Sequence, residues 1–150
     1  MKRNIAIGII LILCSFCTIT RVEAQEKTEL GTAFNKMMQV SAEFITAAYE
    51  QNKDLNDFAS LVFSCLKRNT AEEKKVFDML TECDNLTAET DKLIKEVKNE
   101  VERGSDLKVV DPKLETIGNN MERIFNLHKT IRQKIRKILE EIKTNEKFSV

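Results

Sequence analysis

Between Thr32 and Arg103 the chain contains neither a glycine nor a proline. A backbone free of its two strongest breakers, and rich in Glu, Lys, Leu, Ala and Met, favours helix almost throughout. No run of alternating β-branched residues competes with that tendency. The one strand-like piece, Leu107 to Val110, is too short and isolated to build a sheet.

Hydrophobic spacing turns the tendency into an architecture. From Leu30 the series Phe34, Met37, Ser41, Phe44, Ala48, Gln51, Leu55, Phe58, Val62 and Cys65 steps alternately by four and three. That is the repeat of a helix seam. The phase survives the polar stretch from Gln51 to Asp57, with Gln51 as a polar seam member. One helix over about residues 30–68 is therefore expected, and a break near residue 52 is the alternative. A second seam runs through Val76, Leu80, Cys83, Thr87, Thr90, Ile94, Val97 and Val101. Thr70 and Glu73 form a capping box before it, and Gly104 stands where a helix commonly stops. Asp111 as cap and Pro112 in the first turn open a third helix. Its seam is the cleanest: Leu114, Ile117, Met121, Ile124, His128, Ile131, Ile135, Ile138 and Ile142. Three rods of similar length, joined by short connections, bury their stripes by lying antiparallel. The expected fold is all-α, an elongated antiparallel three-helix bundle, or a four-helix bundle if the first helix breaks.

The N-terminus sets the compartment. Lys2 and Arg3 precede an apolar stretch from Ile5 to Ile19, and Val22-Glu23-Ala24 supplies small or β-branched residues at −3 and −1. This is the layout of a secretory signal. The apolar stretch falls short of the roughly 20 residues a membrane span needs. The expected organisation is a signal over residues 1–24 and a single domain over 25–150, secreted to the extracellular space. Cleavage removes three of the 24 basic residues and one of the 24 acidic ones, leaving a net charge of about −2. No global field then draws the protein to nucleic acid. One tyrosine and no tryptophan also supply little for base stacking.

Cleavage also removes Cys14 and Cys17, leaving Cys65 and Cys83. Two thiols in an oxidising compartment are disulfide candidates. If the turn lies at Asn69-Thr70, their distances from it differ by about eight residues, more than a bridge tolerates. A bridge then needs a shifted turn or a broken second helix; the alternative is two free cysteines packed as small hydrophobes. Asn85-Leu86-Thr87 is a glycosylation sequon whose asparagine falls off the seam and towards solvent.

His128 is the only histidine and sits inside an aliphatic seam. It reads as a hydrogen-bonded core imidazole, or as a pH-sensitive core residue. Lys129, Arg132, Lys134, Arg136 and Lys137 form a run of cations without an acid. They make either a solvated face opposing the acidic second helix or a contact for an anionic surface, lipid headgroup or sulfated glycan.

No phosphate loop, nucleophile elbow, catalytic triad or metal-ligand pattern is present in the sequence. Catalytic, metal and cofactor-binding residues are accordingly expected to be none. The expected function is binding without catalysis, by a chain that is monomeric rather than homo-oligomeric. The first expectation is an extracellular protein partner, which the helices would engage as a signal, effector or modulator. The alternative is a carrier of lipid or a small apolar ligand, with amphipathic helices, or an anionic-surface binder.

Overall fold

A computed structural model describes residues 24–66, 71–105 and 107–146, with side chains described over 31–64, 71–105 and 108–144. The expected signal thus lies outside the described residues, except for its last, Ala24. Three helices pack against one another: α1 (Ala24–Leu66), α2 (Ala71–Glu102) and α3 (Leu107–Glu146). The described residues contain no strand.

Helix α1 runs unbroken through the polar stretch from Gln51 to Asp57, which removes the four-helix alternative. Thr70, the expected cap of α2, is outside the described residues, but Glu72 and Glu73 place acid in the first turn, where the helix dipole favours it. Gly104 ends α2 as expected. Its φ is +75°, and its N–H donates to the Val101 carbonyl at 3.0 Å while Ser105 N–H donates to Glu100 at 3.0 Å. This pair of bonds is the Schellman closure, which needs a left-handed residue.

Pro112 departs from expectation. Helix α3 starts at Leu107, so Pro112 lies inside it and Leu107 to Val110 form its first turn. The four-three seam explains why. Counting back four from Leu114 gives Val110, which is fully buried. Burying a valine contributes about 1.5–3 kcal/mol, enough to hold a turn ahead of the one hydrogen bond that proline deletes.

The core divides lengthwise into two apolar clusters. One joins Phe34 to Ala48 of α1, Ile94 and Val97 of α2, and Val110 to Ile124 of α3. The other joins Leu55 to Phe63, Val76 to Cys83, and Ile131 and Ile135. At the junction sit buried polar side chains from each helix: Asn52, Thr87 and His128. Thr87 donates to the Cys83 carbonyl at 2.6 Å and is satisfied within its own helix.

The seams of α2 and α3 are placed as the spacing predicts, but part of α1's is not. Phe34, Met37, Ser41, Ala48, Leu55 and Val62 are buried. Between them, however, the core takes Ile45 instead of Phe44, Asn52 instead of Gln51, and Ala59 instead of Phe58. Ala59 is 0% exposed and Phe58 46%. Close helix approach selects the small side chain and turns the bulky neighbour outward.

Candidate functional site

Displacing Phe44, Gln51 and Phe58 from the core leaves α1 with a second stripe. Val40, Phe44, Ala47, Gln51 and Asp54 keep the four-three step on the flank of the core seam. Opposite them α3 presents Phe125 and His128. Contact between α1 and α3 is the sparsest of the three helix pairs. The two rows therefore enclose a groove of about 510 Å³. Its lining has an apolar part, formed by Val40, Phe44, Ala47, Ala48 and Phe125, and a polar part where Glu50, Gln51, Asp54 and His128 meet. Every charged residue in the lining is acidic: Glu43, Glu50 and Asp54. Glu43 accepts from Gln39 Nε2 at 2.9 Å. Phe125 is 47% exposed, unusual for a large aromatic with an apolar face to cover.

His128 closes the floor. The residue is 3% exposed, yet its Nε2 has no hydrogen-bond partner on the protein. Burial first, and then the charge of Arg132 one turn on, push its pKa down to about 4, with Asp84 opposing. The ring is neutral at physiological pH, so Nε2 offers a lone pair in one tautomer and a proton in the other. Beside it Asn52 donates from Nδ2 to the Leu80 carbonyl at 3.2 Å and to Asp84 Oδ1. The Asn52 Oδ1 atom is buried without a partner. A buried polar atom left unpaired costs about 1–3 kcal/mol, so such atoms together mark a place where stability has been given up.

The remaining expected site residues scatter. Cys83 is buried with a free thiol, pushed up to about 12 by burial and then by Glu82 and Asp84. It is no nucleophile at neutral pH. The Cys65 side chain is outside the described residues. Asn85 is exposed, as the sequon reading needs. The cationic run is divided: Lys134 reaches across to Glu72 at 2.8 Å and Lys137 stays near Glu141 at 3.9 Å. The Lys134 pair, together with Lys75, holds the Glu72 carboxyl down at about 2. Lys129, Arg132 and Arg136 remain exposed. The acidic face of α2 is met largely by cations outside the run: Arg123 pairs with Glu82, and Lys113 bridges Glu96 and Glu100 at 2.9 and 2.7 Å.

Chemically the groove offers apolar contact, carboxylates and one imidazole. No serine, threonine, cysteine or lysine lines it. Among the described residues no cluster of three metal-ligating side chains occurs, and no helix is long and apolar enough to cross a membrane. No family model, curated protein or solved structure matches the chain. Asn52, Phe44, Ala47 and Phe125 were not singled out as site residues by spacing. The available signal was the doubling of apolar residues on α1 (Met37-Met38, Phe44-Ile45, Phe58-Ala59), which gives the helix two stripes instead of one.

Proposed function

We propose that the protein is an exported, non-enzymatic three-helix bundle with antiparallel rods, and that it carries a small apolar ligand between α1 and α3. One observation carries this reading: the second stripe of α1 is only partly covered and encloses, with Phe125 and the buried His128 of α3, a groove with apolar walls. A volume of about 510 Å³ is in the range of small-molecule sites, about 300–1,000 Å³, which likewise combine apolar walls with a few placed polar groups. Export rests on the basic start, apolar stretch and Val22-Glu23-Ala24 site of the N-terminus. The test is titration with a neutral apolar fluorophore, N-phenylnaphthylamine, against wild type and Ala47→Trp. Ala47 is exposed, so the indole fills the groove without entering the core. Saturable binding that the variant loses, with unchanged circular dichroism, supports the carrier reading. Binding that persists in the variant places the site elsewhere.

A protein partner is the second reading, favoured by a different feature. Beyond the groove the stripe continues into Phe58 and Leu61, which are 46% and 61% exposed. Exposed apolar residues in line on one helix suit a partner's helix docking alongside. Phe58→Glu with Leu61→Glu separates the two: it abolishes capture of a partner from the native extracellular fluid and leaves fluorophore binding intact.

A further inference from the structure

The groove's polar chemistry narrows the ligand further, on the premise that the groove is a ligand site. Apolar walls alone accept any hydrophobic molecule, but two features discriminate. The charged lining residues, Glu43, Glu50 and Asp54, all carry the same sign. An anionic ligand such as a fatty acid would meet three like charges, whereas a cation meets three opposite ones. The second feature is that His128, 3% exposed, is the one titratable base in the lining and brings no positive charge to it, because burial holds the ring neutral.

We infer that the groove takes a protonated primary amine on an apolar body, its ammonium paired with Glu50 and Asp54 near His128 and its body lying against Phe44, Ala47 and Phe125. Burial holds the His128 ring uncharged, so it does not repel a bound cation at neutral pH. Arg132 opposes a bound cation. It is exposed and absent from the lining, where solvent and salt screen it more than they screen charges at the groove wall.

The experiment uses three probes that share one body and differ in the head: phenylbutylamine, phenylbutanol and phenylbutanoate. Each is titrated into the purified protein by calorimetry, with amide chemical shifts locating the site. The amine is expected to bind most tightly and the carboxylate least, with shifts on α1 and α3 around Ala47 and His128. Glu50→Gln with Asp54→Asn changes two exposed residues and leaves the core untouched. It is expected to weaken the amine by about fivefold and to leave the alcohol unchanged. If alcohol and amine bind equally and the double variant changes neither, the amine inference fails while the carrier reading stands. If none of the three binds, or shifts gather in the separate cleft of about 480 Å³ that Phe34 and Met38 of α1 line with Lys98 and Val101 of α2, both fail.

Discussion

The two flanks of α3 are built differently. Towards α2 the helix forms cross-helix ion pairs, Lys113 with Glu96 and Glu100, Arg123 with Glu82, and Lys134 with Glu72. Towards α1, the same helix exposes Phe125 and leaves His128 Nε2 without a partner. One side is bridged by ion pairs, and the other leaves an aromatic half-exposed beside the groove proposed as the ligand site.

That contrast can be broken by mutation. Ile131→Ala, in the core shared by all three helices, is expected to cost about 3 kcal/mol in denaturant unfolding. Phe58→Ala, a seam position by spacing but an exposed one in the fold, is expected to cost below about 1 kcal/mol. Similar losses at both would erase the distinction.

Acid reaches the junction of the two flanks next. His128 is depressed from 6.5 to about 4, so the folded state disfavours its protonation. Its contribution to stability is complete above pH about 6.5 and is lost as the pH falls towards 4. The loss is on the order of 2 kcal/mol by pH 4. His128→Leu is expected to lose less stability than wild type between pH 7.5 and 4. Arg132 adds to the effect of burial on the ring and Asp84 opposes it, and parallel losses in both proteins would show Asp84 offsetting the other two.

Smaller effects sharpen the picture. Asn52→Ala removes the donor to Leu80 and Asp84 and is expected to cost about 1 kcal/mol. Gln51→Ala, on the groove side, is expected to stay within about 0.5 kcal/mol of wild type. The reverse order would restore Gln51 to the core seam. The weakest effect belongs to Lys113→Met. Lys113 and its two partners are half-buried at the bundle's edge, so the loss of stability is expected to be slight in dilute buffer and smaller in concentrated salt.

The degree to which this was legible in the sequence differs between helices for a physical reason. Helix α3 repeats isoleucine at strict four-three spacing, so only one face can be the core, and Ile117, Ile124, Ile131 and Ile135 are buried there. Helix α1 carries adjacent apolar pairs, and spacing alone does not choose between them. The choice is made by how near the helices come, which favours Ala59 over Phe58 and Ile45 over Phe44. Pro112 misled in the opposite sense. Local chemistry marks a helix start there, but the tertiary burial of Val110 outweighs it. The groove was hidden because its wall combines seam residues, Ala48 and His128, with neighbours such as Phe44 and Phe125 that the core leaves partly uncovered.

The most direct test of that groove is an intermolecular NOE experiment on the protein with bound phenylbutylamine. Cross-peaks from the probe's ring to the Phe44 and Phe125 rings and the Ala47 methyl, with its aminomethylene near His128, are the expected result. Cross-peaks to Phe34 and Val101 instead, or none from a probe shown to be bound, would contradict the account.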